Sequence, residues 1–443
     1  MRTRHRRVAR WLAALLLAAA AGAAKAQSLQ QIYELARSYD ASYLAARALA
    51  ASAQYRAEQA EALNRFNANV VSDVSRSEAE PPGDRSRRSG NNASLAVQAR
   101  KPLFNRTNDR SIEQAQRSLE VSQADLEAAE QDLILRVTQA YFDVLAAQDT
   151  LAFTRASKTA ITEQLAAAKR NFEVGTATIT DTREAQARFD LAAAQEIAAE
   201  NDQRTRRAAL DQLVGRSVNP LALATPVQLP PLAPGTADDW VQRSDTHPNV
   251  RRARLGLDIA KLETEKARAG YLPVVDLVGS VGSGYQGATA ATAFGSSSGT
   301  TNSASVGVQL NMPLYTGDAV QNRVRETLLL EERSRNDLDA AQRSVALGAR
   351  QAYLGVQSGQ AQVQALVAAE SSSQLALDAT QLGYKVGVRV NLDVLNAQTQ
   401  LFQTRRDLAR ARYDVLVGSL RLRQAAGLLT QDDLLRVNGL LAK

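Results

Sequence analysis

Phe172-Glu173-Val174-Gly175-Thr176-Ala177-Thr178-Ile179-Thr180-Asp181 interrupts a stretch that otherwise reads as continuous helix, and Tyr384-Lys385-Val386-Gly387-Val388-Arg389-Val390-Asn391-Leu392-Asp393 repeats the interruption 212 residues later. Glycine ends a helix by taking a backbone conformation other residues avoid. Thr or Asp starts the next one by accepting from free amides at its N-terminus. Each stretch therefore predicts a tight turn between two antiparallel helices. Spacing alone leaves open whether it is a helical hairpin tip and nothing more.

Working outward, proline is missing between Pro102 and Pro220 and again after Pro313. Both regions are rich in Ala, Leu, Gln, Arg and Glu, which favour helix. Ile112, Leu119, Leu126 and Leu133 recur every seven residues, with Ala115, Ser122 and Ala129 between them. That is a coiled-coil seam with a small-residue side, although an ordinary helical bundle would share it. A helix of roughly 60 residues would reach ~90 Å, a length for crossing a compartment rather than filling a globule.

The correspondence extends beyond the tips. Lys101-Pro102-Leu103-Phe104 matches Met312-Pro313-Leu314-Tyr315, Gln139-Ala140-Tyr141 matches Gln351-Ala352-Tyr353, and Gly215 matches Gly427. The offset stays at 211 or 212 residues, so the chain reads as two structural repeats. Ser28 with Gln31 and Thr236 with Asp239 form a capping box at the start of each. Before its long helices each repeat carries β-like runs. In the clearest, Ala304, Val306, Val308, Leu310 and Met312 alternate with Ser305, Gly307, Gln309 and Asn311. Apolar-out, polar-in alternation marks a membrane barrel strand, and a sheet with one wet face gives the same pattern. Two hairpins supply four strands, too few to close a barrel, and an open edge in lipid is costly. Other subunits would have to complete it.

The first 26 residues place five arginines before an apolar run from Trp11 to Ala21, then Ala24-Lys25-Ala26. This is the order of a secretory leader, and the run is too short to span a membrane as a helix. The leader holds six of the 53 basic residues and none of the 46 acids, leaving 47 against 46. The remainder is close to neutral, so charge gives no case for nucleic acid. There is no cysteine, hence neither disulfide nor lipidated N-terminal cysteine, and beyond the leader His247 is the one histidine. A transition-metal site would need clustered carboxylates, and no such cluster is visible.

Gly282-Ser283-Gly284-Tyr285-Gln286-Gly287 has dinucleotide-loop spacing but lacks the following helix and acid that such a loop needs; a flexible loop is expected instead. Arg85, Arg87 and Arg88 read as a solvated loop, and His247, before Pro248, as a turn or cap residue. With no nucleophile elbow or paired-acid motif, no enzyme and no cofactor are expected.

The paired tips, strand hairpins, double repeat and leader together resemble the TolC family of outer-membrane export proteins, most sharply at Phe172 to Asp190, Tyr384 to Gln398, and Ala426-Gly427-Leu428-Leu429 leading to Asp433-Leu434. The resemblance implies a mainly α fold with a β-barrel part. Long antiparallel helical hairpins would form a periplasmic tunnel, and four transmembrane strands per protomer would be completed as a 12-strand barrel in a homotrimer. It implies a passive exit duct in the outer membrane, touching lipid and working with a periplasmic adaptor and an inner-membrane transporter in efflux or type I secretion. It also implies a periplasmic gate formed by Tyr384 and Arg389 on one hairpin with Thr180 and Asp181 on the other. Asp393 would form a constriction ring that attracts cations, and Val174, Gly175, Val386 and Gly387 would form adaptor-docking tips. The family often carries a second acid three residues beyond the first, where this chain has Asn396. The expected layout is a signal peptide over 1–26, a first repeat over 27–219 with strands in 67–101 and a tip near 174–181, and a linker over 220–235. A second repeat follows over 236–430, with strands in 274–312 and a tip near 386–393, and then a tail over 431–443. An exported periplasmic coiled-coil adaptor or scaffold without a pore is the alternative.

Overall fold

A computed structural model describes residues 27–79, 88–224, 229, 235–287 and 298–442. The expected leader and the loop residues Arg85 and Arg87 lie outside them. In chain order the helices are α1 (Leu29–Tyr39), α2 (Ala41–Glu61), α3 (Arg106–Glu173), α4 (Ile179–Val214), α5 (Ala237–Arg243), α6 (Pro248–Ala269), α7 (Ala319–Lys385), α8 (Asn391–Ala425) and α9 (Gln431–Asn438). The strands are β1 (Asn67–Ala79) and β2 (Arg88–Phe104), between α2 and α3, and β3 (Val274–Gln286) and β4 (Gly299–Asn311), between α6 and α7. Helices α3 and α7 have 68 and 67 residues, and α4 and α8 have 36 and 35. At 1.5 Å per residue α3 spans about 100 Å. The capping boxes of Ser28 with Gln31 and of Thr236 with Asp239 both form.

The chain divides into two compact units. One holds residues 48–125 and 251–341 and contains the sheet. Its strands lie in the order β1-β2-β3-β4, all antiparallel. The register carries Val70 opposite Val97, Val97 opposite Val281, and Val281 opposite Ala304. The adjacent row runs Asn69, Gln98, Ser280, Ser305. Because alternate residues point to opposite faces, one face is apolar and the other polar. The apolar face lies open: Val306 is 84% exposed, and Val70, Val74, Leu95, Val308 and Leu310 are also exposed. On the polar face Arg100 Nη2 reaches Asp276 Oδ2 at 2.6 Å. The register shifts between Pro102 and Phe104, where proline has no N–H for the ladder. Gly282 to Gln286 are paired strand residues, correcting the expectation of a flexible loop. A Cβ on Gly282 would lie 2.8 Å from Ala96 Cβ, so this glycine serves strand packing. Below the sheet, Gln114 donates to Glu263 at 2.9 Å and Arg323 to the same carboxylate at 2.7 Å, tying α3, α6 and α7 together.

The other unit holds the described residues up to Arg47 together with 126–250 and 342–442. Its core gathers Leu29, Ile32 and Tyr33 of α1, Leu133, Tyr141 and Phe142 of α3, Leu210 of α4, Leu416 and Leu420 of α8, and Leu434 of α9. Residues 431–442 are thus docked: Leu434 is fully buried, and Leu441 bridges to Leu223. Gly215 and Gly427, matched in the repeat, end α4 and stand just past α8 with φ of 78° and 70°. His247 is a turn residue, its Nδ1 accepting from the Asn249 N–H at 3.0 Å.

Candidate functional site

Each tip begins where a long helix runs out. Gly175 takes φ 79° and its N–H reaches the Phe172 carbonyl at 3.0 Å, while the Thr176 N–H reaches Asn171 at 2.8 Å. Gly387 takes φ 83°, with matching bonds from Gly387 to Tyr384 and Val388 to Gly383. A Cβ at either glycine would meet nothing, so only the left-handed backbone requires glycine there.

The two tips restart differently. Helix α4 is capped by Thr178, not by Thr180 or Asp181. Asp181 stands at the third helical position, its Oδ2 accepting from the Thr178 N–H at 2.9 Å and the Thr178 hydroxyl at 2.8 Å. Val390 caps α8 and offers no side-chain acceptor. Asp393 therefore has no cap to close, and its Oδ2 faces Arg389 Nη1 at 3.6 Å. That pair is largely exposed and contributes little to stability.

Polar side chains join the first hairpin to the second. Asn171 Nδ2 donates to Tyr384 Oη at 3.1 Å, Gln164 Nε2 donates to Asn391 Oδ1, and Arg188 Nη2 donates to Asn396 Oδ1 at 3.0 Å. Asn391 is buried, and its Nδ2 has no acceptor among the described residues. A groove of about 390 Å³ lies between the tips, with Asp181, Tyr384, Gly387 and Arg389 on its walls. Thr180 is exposed and outside those walls. Of the four sequence-derived gate residues, three thus share one groove, and within the chain Tyr384 is bonded to Asn171 rather than to Thr180 or Asp181. Val174 and Val386 are exposed at the tips, joined by Phe172 of the repeated motif and by Ile179, Val388 and Val390, which the sequence reading did not assign to docking.

Asn171, Gln164 and Arg188 were missed as well. A signal for them existed in the differences between the repeats. The position matching Asn171 is Gly383, and a Cβ there would lie 2.8 Å from Arg389 Cγ. The glycine makes room for the arginine stem on one hairpin where the other carries an amide. Among the described residues no group of His, Asp or Glu is placed to hold a metal ion.

The family model for outer membrane efflux proteins matches this chain twice, over residues 33–216 and 242–428. The chain belongs to the outer membrane efflux protein family. It is 32% identical over 417 residues to outer membrane protein TolC of Vibrio cholerae serotype O1, covering 93% of each. It is 35% identical over 311 residues to the alkaline protease secretion protein AprF of Pseudomonas aeruginosa, covering 68% of this chain and 63% of that one. The crystal structure of CusC superposes with a TM-score of 0.78 at 16% identity, covering 91% of this chain and 92% of that one, a likeness of fold. As a family member the chain is an outer-membrane channel protein of mainly α fold, with strands for a barrel part and helices for a periplasmic tunnel.

Proposed function

We propose that three copies assemble head to tail into a duct, each giving its four strands to one 12-strand barrel and its hairpins to a common tunnel. The open edges carry this reading. Among the described residues strands β1 and β4 end the sheet with unpaired ladders, on a sheet whose exposed face is apolar. Joining β4 of one copy to β1 of the next satisfies both edges, and a ring of such contacts leaves none in lipid. Thirteen-residue strands exceed the length needed to cross a bilayer. Exposed Phe66, Phe104, Tyr271 and Tyr315, where helices meet strands, fit a membrane–water boundary.

The two hairpin tips act as a gate. The neutral bonds of Asn171 with Tyr384 and Gln164 with Asn391 are weak enough to break when the tips part, and Thr180, Asp181 and Arg389 complete the closure between copies. Asp393, free of any cap, supplies a ring of three carboxylates. Exposed Val174, Val386 and their glycines receive a periplasmic adaptor, and an inner-membrane transporter drives export. Structural repeats over 27–219 and 236–430 give the tunnel its quasi-equivalent walls. The duct performs no reaction of its own and uses no cofactor. A relative named for alkaline protease secretion supports protein export among its uses.

Single-channel conductance in a planar bilayer tests the reading, comparing the wild type with a Tyr384→Phe/Arg389→Ser variant. A small, stable conductance that rises in the variant supports both pore and gate. A pore unchanged in the variant discards the gate, and no conductance from folded protein favours the pore-free scaffold.

A further inference from the structure

We propose that a cavity enclosed by α5, α7, α8 and α9 binds an amphipathic anion: an apolar body carrying a carboxylate or similar acidic head. It measures about 620 Å³, within the range of small-molecule sites. Leucines and valines such as Leu420, Leu428 and Val437 supply half of its lining residues. Trp240 lines it too, only 2% exposed, packed against Tyr353 and Val356. Its Nε1–H is buried with no acceptor among the described residues. A buried donor left unpaired is costly, so this indole calls for a partner that the described residues do not supply.

Charge points to the class of ligand. Arg243, Arg423 and Arg436 stand around the cavity with one acid, Asp433. Asp433 Oδ2 is engaged by Arg423 Nε at 2.9 Å and by the Thr430 N–H at 3.1 Å, while its buried Oδ1 has no hydrogen-bond partner among the described residues and Arg436 stands 3.8 Å from it. The Arg243 guanidinium lies 5.4 Å over the Trp240 ring. Arg243 and Arg436 are exposed, so they mark the mouth while the leucines line the interior. An anionic head beside these guanidiniums at the mouth and an apolar body within fit the charge and the lining of the cavity, and guanidinium is suited to carboxylate. The site stands apart from the tips and does not depend on the gate.

Tryptophan emission tests this. The chain has two tryptophans, Trp11 and Trp240, so protein lacking residues 1–26 has Trp240 as its lone emitter. The protein is held in amphipol, free of detergent, and titrated with 9,10-dibromostearate, whose bromines quench on contact, and with its uncharged methyl ester. Saturable quenching by the acid is expected, with the ester about tenfold weaker. An Arg243→Gln/Arg436→Gln variant should weaken the acid about tenfold and leave the ester unchanged. A parallel sample in nanodiscs of brominated phospholipid separates sources: quenching there identifies a membrane lipid, and quenching by the added acid alone a free amphiphile. Equal quenching by acid and ester overturns the proposal in favour of a plain apolar groove. Absence of quenching in every arm also overturns it, with a cavity covered by a second copy or a protein partner as the reading that remains.

Discussion

The Asn171 side-chain amide donates to the Tyr384 phenol oxygen at 3.1 Å, joining the last turn of α3 to the last turn of α7 across 213 positions of sequence. Both groups are neutral, and such a bond contributes about 1 kcal/mol, near a fivefold change in an equilibrium. Tyr384→Phe and Asn171→Ala should each raise the open fraction of single channels by about fivefold. The double variant should add little to either, since both remove one bond. An additive result in that cycle would separate the two residues.

Thr178 and Val390 occupy the same repeat position, and only Thr178 closes a capping box. Val390→Thr should build the missing box and stabilise the start of α8 by about 1 kcal/mol, read as slower amide exchange at residues 391–394. The new box would engage Asp393 and draw it from Arg389, so block of the channel by divalent cations should weaken. Thr178→Val should have the opposite effect on exchange at the start of α4.

Asp40 and Asp149 should respond to pH in opposite directions. Hydrogen bonds from Arg136, at 2.9 and 3.1 Å, hold the Asp40 carboxyl below the usual carboxylate range, helped by Ser42 and the Tyr43 N–H. A depressed folded value stabilises the fold above the unfolded pKa of about 3.9, and that contribution is lost as pH falls through the folded value. Asp40→Asn should cost roughly 2 kcal/mol at pH 7, with the difference shrinking below about pH 4.

Burial pushes the Asp149 carboxyl up, although Tyr413 donates to it at 2.6 Å. A raised folded value in an acid opposes folding at neutral pH, and the penalty fades as pH falls below that value. Asp149→Asn keeps an acceptor for Tyr413. It should melt higher than the wild type at pH 7 and approach it toward pH 4, measured by circular dichroism.

A Cβ at Gly427 would sit 2.6 Å from the His247 Cα, and one at Gly215 equally close to the Tyr39 ring. Both positions also have φ above zero. Gly427→Ala meets backbone and should cost about 3 kcal/mol, the sum of strain and overpacking. Gly215→Ala meets an exposed ring that can turn aside and should cost less. Denaturation of the two variants side by side checks the order.

Much of this architecture is local and so was legible in the chain. Missing proline and a seven-residue apolar spacing mark the long helices, Gly175 and Gly387 mark where they turn, and alternation marks β4. These signals depend on residues within a turn or two of each other, where backbone sterics and side-chain period act directly. The repeat likewise showed which positions would be alike. Which polar groups meet was decided by tertiary packing. Asn171 finds Tyr384, Gln164 finds Asn391, and Arg188 finds Asn396. Contacts between residues some two hundred positions apart depend on how one helix is rotated and shifted against another. A shift of a single residue along a helix swings a side chain by about 100°, and no local pattern records that rotation. The cavity beside Trp240 has the same origin, because Trp240 and Arg243 come from α5 and the rest of its lining from α7 onward, more than a hundred positions later in the chain.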